Sequence, residues 1–294
     1  IWGGGVEIVA SSGWDRPIFV DLDGDGDIDI LDGYFYENIG NVKQPLWAAS
    51  SMKLPDFVYG SWVQAALDID GNGAIDIITV AKDDDGLDAY RNIGTPSEPR
   101  SLDNESFIST HIGQNPAVAF GDLNNDGKPD LLTAESHDGW HFYWNTGTKT
   151  APKFTRDDEI LKNMPPPSSN NNPVFSDLNG DGLLDLTVIF LDEGVPSTLH
   201  HYRNIGSTTK PAWATADPFK TLTNANFTSV SFADLDNDAD LDAVFNANNG
   251  KLIEFENIGS ASIPSWKRLP DIFDGIKASY GLHPVMVDYD SDGD

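Results

Sequence analysis

A nine-residue pattern returns along this chain at nearly even intervals, and that recurrence limits the fold more than any other feature. It reads Asp, apolar, Asp or Asn, any residue, Asp or Asn, usually Gly, two further residues, Asp. Complete copies begin at Asp21, Asp68, Asp122, Asp177 and Asp234, and a sixth begins at Asp288. The starting positions lie 47, 54, 55, 57 and 54 residues apart.

A second marker keeps register with the first. Each complete repeat carries an aromatic-x-Asn-[Ile/Thr]-Gly turn, with its asparagine at Asn38, Asn92, Asn145, Asn204 or Asn257. Seven residues after each asparagine stands a proline: Pro45, Pro99, Pro152, Pro211 and Pro264. Two residues further on comes Trp47, Phe154, Trp213 or Trp266, with Ser101 the exception. Between the markers the chain reads as short strands. In the fifth repeat Val230 to Asp234 precedes the Asp loop, Leu241 to Phe245 follows it, Asn246 to Gly250 turns, and Lys251 to Phe255 returns. The Trp266 segment supplies a fourth strand. Patterns with a period of 3.6 residues are lacking, and turn signals recur often, so the reading is all-β. Four strands per repeat of roughly 54 residues describe one blade of a β-propeller. The expectation is a single propeller domain over 1–294, with repeats starting near 17, 64, 118, 173, 230 and 284 and the last one cut short. Six Asp loops set the expected blade number at six or more, up to eight.

These repeats resemble the FG-GAP/VCBS family, the calcium-loop blades of integrin α-subunit heads and of many secreted microbial proteins and lectins. The resemblance covers essentially the whole chain. It departs in repeat 2, which lacks the outer aromatic, and in loop 5, where Ala239 stands in place of the usual glycine and is expected to tighten or weaken the loop.

The loop chemistry supports the same reading. Carboxylates at the first, third and fifth positions of a tight loop offer hard oxygens to one centre. A backbone carbonyl at the seventh position and a carboxylate at the ninth complete a cage that suits Ca²⁺ better than Mg²⁺. The expected ligands are Asp21, Asp23, Asp25, Asp27 and Asp29 in loop 1, and Asp68, Asp70, Asn72, Ala74 and Asp76 in loop 2. Loop 3 offers Asp122, Asn124, Asp126, Lys128 and Asp130, and loop 4 offers Asp177, Asn179, Asp181, Leu183 and Asp185. Loop 5 offers Asp234, Asp236, Asp238, Asp240 and Asp242, and the sixth copy Asp288, Asp290, Asp292 and Asp294. Ala74, Lys128 and Leu183 enter through their carbonyls. One Ca²⁺ per loop is the expectation.

Charge agrees with a metal-held fold. There are 47 Asp plus Glu against 18 Lys plus Arg, for a net charge of −29, and the loops hold roughly half of the acids. That balance argues against nucleic acid and anionic membrane as partners, since phosphate binding needs clustered Lys and Arg. No apolar run approaches the ~18 residues of a membrane span. Cysteine is absent, so a secreted chain of this kind depends on something other than disulfides, and metal ions are the evident means.

The strand order puts the Asp loops on one face of the propeller. On the other face Tyr59, Trp62, Trp140 and Tyr280 lie in connections where aromatic rings beside Asn and Asp could meet a sugar; blade packing is the competing reading. Two glycosylation sequons begin at Asn104 and Asn226. Signs of an enzyme are weak: G-x-S-x-G is absent, the six His show no repeated metal spacing, and the paired carboxylates belong to the Asp loops. His200 and His201 are expected in a third strand with side chains on opposite faces. At the ends, Trp2 aligns with a fourth strand and His283 to Asp288 with a first. A blade completed by a neighbouring chain would build a head-to-tail polymer. The sequence therefore points to a non-enzymatic, extracellular, calcium-stabilised propeller for adhesion or structural assembly, with a self-assembling filament or matrix subunit as its specific form. The alternatives are a carbohydrate-binding lectin and, third in order, a polysaccharide-degrading enzyme.

Overall fold

The structure, a computed structural model, describes residues 18–31, 35–40, 46–49, 63–70, 72–80, 86–93, 103–108, 117–135, 139–148, 151–168, 170–191, 194–220, 222 and 226–270. Its architecture is a series of four-stranded antiparallel meanders, one per repeat. The first comprises β1 (Ile18–Val20), β2 (Asp29–Leu31), β3 (Phe35–Asn38) and β4 (Trp47–Ala49), and the second β5 (Val63–Leu67), β6 (Asp76–Val80), β7 (Leu87–Arg91) and β8 (Asp103–Ile108). The third comprises β9 (Ala117–Gly121), β10 (Asp130–Glu135), β11 (Gly139–Asn145) and β12 (Phe154–Arg156). The fourth comprises β13 (Asn170–Ser176), β14 (Asp185–Leu191), β15 (Thr198–Asn204) and β16 (Trp213–Ala216), and the fifth β17 (Phe227–Ala233), β18 (Asp242–Ala247), β19 (Leu252–Asn257) and β20 (Trp266–Arg268). The strands anticipated in the fifth repeat form in order, with Asn246 and Ala247 extending β18 rather than opening the turn. First strands of successive blades, β1, β5, β9, β13 and β17, touch in chain order, which makes them the inner strands of a propeller.

Among the described residues the sheets number five, and this overturns the expectation of six to eight blades. An Asp loop counts as a blade only where it leads into a second strand. Loops 1 to 5 do so, whereas the sixth copy, Asp288 to Asp294, lies outside the described residues. The terminal strands expected at Trp2 and at His283 to Asp288 lie outside them as well.

Side-chain alternation in the second strands explains why blades stack. Successive residues of a strand point to opposite faces, and here both faces are dry. Leu131 packs with Ile69, Ile78 and Leu87 of blade 2, while its neighbour Leu132 packs with Leu186 and Val188 of blade 4. Ile77 likewise joins Leu22, Leu31 and Phe35 of blade 1, and Ile78 turns to Val118 of blade 3. Ile189 faces Phe227, Val230 and Phe245 of blade 5. Each such side chain contributes about 1.5–3 kcal/mol through burial. The core is thus a set of inter-blade layers, and a single blade cannot bury its own apolar faces.

Candidate metal centres

The Asp loop of each blade joins its first strand to its second, and the Asn-Gly turn joins third to fourth, so both emerge at the same end of the sheet. Hydrogen bonds connect them. The carboxylate closing each loop is buried, with Asp29, Asp76, Asp130, Asp185 and Asp242 all at 2% exposure or less. In loop 3, Asp130 accepts from the Leu123 amide at 3.1 Å through Oδ2 and from the Asn145 amide at 2.8 Å through Oδ1. Asp29 holds Leu22 and Asn38, Asp76 holds Ile69 and Asn92, and Asp242 holds Leu235 and Asn257 in the same manner. Blade 4 varies the theme: Asp185 accepts from the Asn204 amide at 2.8 Å and from Asn179 Nδ2 at 2.7 Å. The ninth position therefore ties the loop, the start of the second strand and the end of the third into one knot.

The second marker has an equally local cause. Asn257 Oδ1 accepts from the amides of Gly259 and Ser265, closing the turn between β19 and β20. Asn38, Asn145 and Asn204 do the same, each reaching the residue two on and the residue eight on. The proline one residue earlier has no amide hydrogen to compete for that oxygen. Glycine is required in the turn because a Cβ at Gly147 or Gly206 would come within 2.2 Å of the backbone oxygen of Ala151 or Lys210.

The opening positions of the loops are arranged differently. The first aspartate folds the loop around itself: Asp122 accepts from the amides of Asp126 and Gly127, and Asp68, Asp177 and Asp234 repeat the pattern. The fifth-position oxygens of Asp25, Asn72, Asp126, Asp181 and Asp238 accept from the amide two residues on. Carboxylate oxygens converge from the first, third and ninth positions. Among the described residues they lie within 4.8 Å of one another in three groups: Asp21, Asp23 and Asp29; Asp68, Asp70 and Asp76; Asp234, Asp236 and Asp242. Asn124 and Asn179 hold the third position in loops 3 and 4. Ala239 adopts a φ of 72°, left-handed like its glycine counterparts at 81° to 94°, so loop 5 keeps the common geometry against the steric preference of an L residue.

Electrostatics favours a cation in such a loop. Burial pushes the carboxyls of Asp29, Asp76 and Asp130 up to about 6, and the neighbouring loop aspartates push the same way against the two amide donors. Burial also raises Asp242 and Asp23. A cation among these oxygens offsets the repulsion, and the donor set of hard oxygens fits a divalent ion of the calcium type. The clusters in loops 1, 2 and 5 can hold a metal ion; Asp288 to Asp294 lie outside the described residues.

The other site is expected at the opposite end of the sheets. Trp140 is in the core there, 8% exposed, edge-on to Phe190, with its indole donating to the Pro165 carbonyl at 2.7 Å; it packs blades 3 and 4 together. Tyr59, Trp62 and Tyr280 lie outside the described residues. A cavity of about 570 Å³ opens between blades 4 and 5, lined by His200, Asp217, Phe219, Asn226 and Phe227 among others. His200 is exposed and His201 buried, as alternation along β15 requires. Asn226 is exposed just before β17, and Asn104 lies in β8. One feature had no sequence forecast: the isoleucines of the Asn-Ile-Gly turns, Ile39, Ile93, Ile205 and Ile258, are all more than half exposed, at the same end as the Asp loops. Their repetition at a fixed place in the marker was the available signal.

Among known proteins, the FG-GAP-like repeat family matches at three consecutive stretches, residues 68–133, 122–188 and 177–245. No curated protein matches the chain. Solved structures do match, 49 chains in all. One is the crystal structure of BBS1N in complex with ARL6DN, soaked with lead, which is 14% identical over 70% of this chain with a TM-score of 0.34. The chain spans 56% of the length of that protein.

Proposed function

This chain belongs to the FG-GAP-like repeat family, and from that premise we propose that it is a calcium-stabilised β-propeller that binds other macromolecules outside the cell and is not an enzyme. The observation that carries the reading is the repeated convergence of the first, third and ninth aspartates at the same end of blades 1, 2 and 5. FG-GAP repeats often bind calcium, and the hard-oxygen donor set agrees with that habit. Each loop would take one Ca²⁺, with the carboxylates supplying charge and the closing aspartate linking the ion to three strands. The metal's contribution is structural: it neutralises carboxylates that repel one another in its absence.

Propellers of this family are typical of extracellular and surface proteins, and none of the described residues form a helix able to cross a membrane. A role in adhesion or structural assembly follows, with self-association into a filament or matrix as its most specific form. The exposed turn isoleucines support a protein partner on the loop face, since repeated apolar side chains there gain by being covered. Electron microscopy and light scattering in calcium and in chelator test the assembly. Ordered filaments or defined oligomers in calcium support it, and a monomer at every concentration in both conditions removes it.

The cavity between blades 4 and 5 favours a second reading, carbohydrate binding. The half-buried Leu199 and Leu222 offer apolar walls beside the polar groups of Asp217, Asn226 and His200, and the volume suits a small ligand. Glycan-array binding that His200→Ala and Asp217→Asn abolish supports that reading; an array with no positive glycan rejects it.

A further inference from the structure

The loops differ in a residue outside the nine-residue pattern. The position just before the turn asparagine, on the third strand, holds Glu37, Arg91, Trp144, Arg203 and Glu256 in blades 1 to 5. In blade 2 the Arg91 guanidinium reaches over to Asp70, the third residue of the loop, and bonds its Oδ2 through both Nε and a terminal nitrogen. Asp70 is 1% exposed and the Arg91 side chain 22%, so the guanidinium reaches from the edge of the loop to an inner carboxylate of the cluster. In blade 4 Arg203, 45% exposed and so a weaker counter-ion than Arg91, bonds Asn179 Oδ1 at 3.3 Å and Asp181 Oδ2 at 3.1 Å, and Asn179 in turn donates to Asp185. Blade 3, with Trp144 at this position, draws its cation from the loop itself: Lys128 Nζ lies 3.0 Å from Asp126 Oδ2 and donates to the Gly147 carbonyl.

Blades 1 and 5 have the opposite sign at the same place. Their loops carry aspartate at the first, third, fifth, seventh and ninth positions and no basic residue. Glu37 adds its field to Asp23, and Glu256 adds its field to Asp236. Lys267 pairs with Glu256 at 2.7 Å on its exposed side, with more than half of the lysine in solvent, where such a pair contributes little.

We propose that this third-strand position decides how each loop is neutralised, so that Arg91 and Arg203 act as built-in counter-ions of loops 2 and 4 while Glu37 and Glu256 make loops 1 and 5 the tight calcium sites. The proposal rests on calcium being the ion of this family's loops in the present chain. A guanidinium already bonded to the third-position carboxylate must be displaced, or share that oxygen, before Ca²⁺ can use it. Loop 2 therefore holds its shape without metal and binds calcium weakly, whereas loops 1 and 5 gain the most from a divalent ion. Calcium dependence is thus concentrated at the two ends of the described propeller, with an inner set of blades held by internal cations.

Calorimetric titration with calcium chloride, paired with thermal melting in chelator, tests this on the full chain. Arg91→Glu is expected to add one tight equivalent of Ca²⁺, at least tenfold tighter than loop 2 binds in the wild type, and to lower the melting temperature in chelator. Glu37→Arg is expected to remove one tight equivalent and to leave melting in chelator unchanged or higher. If Arg91→Glu folds only with calcium present, that also supports the proposal. Unchanged stoichiometry and affinity in both variants overturn it. A wild-type chain that binds no calcium overturns the calcium reading itself, which separates the two failures, and Glu256→Arg repeats the test in an independent loop.

Discussion

Asp122 and Asp130 open and close the same loop, yet the fold uses them differently. Asp130 is fully buried and gathers amides from the loop and from the end of β11, so it fastens three strands. Asp122 is partly exposed and gathers amides only from its own loop, Asp126 and Gly127. One carboxylate holds the sheet together whatever occupies the loop, and the other shapes a cage for a cation. A motif that reads as a single metal signature is therefore two devices joined end to end, one for folding and one for binding.

The largest expected effect tests the folding half. Asp130→Ala takes the side-chain acceptor from the buried Asn145 amide and leaves the Leu123 amide only the Gly121 carbonyl, and should cost about 2–4 kcal/mol in denaturant titration. Most of the loss should already be present in chelator, with a further loss in calcium because Asp130 also faces the ion, and a loss confined to calcium would erase the distinction. Next comes the binding half. Asp21→Ala should cost about 3 kcal/mol when calcium stands about a hundredfold above its dissociation constant, because one ion's stabilisation is lost. In chelator the same substitution should cost about 1 kcal/mol, since the amides it frees can turn to water.

The turn asparagines belong with the closing aspartates. Asn257→Ala removes the acceptor for Gly259 and Ser265 and should cost about 1–3 kcal/mol by the same titration, independent of calcium. The smallest effect is a gain. Ala239→Gly relieves a left-handed alanine and should stabilise the chain by about 1 kcal/mol without changing how much calcium it binds. A gain that appears only with calcium would mean that the alanine distorts the cage and not the backbone alone.

Much of this was legible in the sequence. Blade boundaries, strand order and the position of every complete loop follow from the two markers, because a repeat that stacks on its own copies must keep its turns in register. The blade number was not, since Asp288 to Asp294 repeats the loop and a loop is only part of a blade. Trp140 illustrates a second limit: an aromatic beside a turn reads equally as a platform or a packing residue, and burial against Phe190 decides it. The loop differences escaped for a different reason. Arg91 lies outside the motif and 21 residues from Asp70, so only the pairing of β6 with β7 shows that they meet. Fifth-position side chains were expected to face the ion, and one oxygen of each also accepts from the amide two residues ahead, a contact that spacing alone does not reveal.

The most direct test of the account is the melting temperature of the full chain at neutral pH in calcium, in magnesium and in excess chelator. The account expects a clear fall on chelation that calcium restores and equimolar magnesium does not. Identical melting in all three conditions would contradict it, leaving the aspartate loops as metal-free turns.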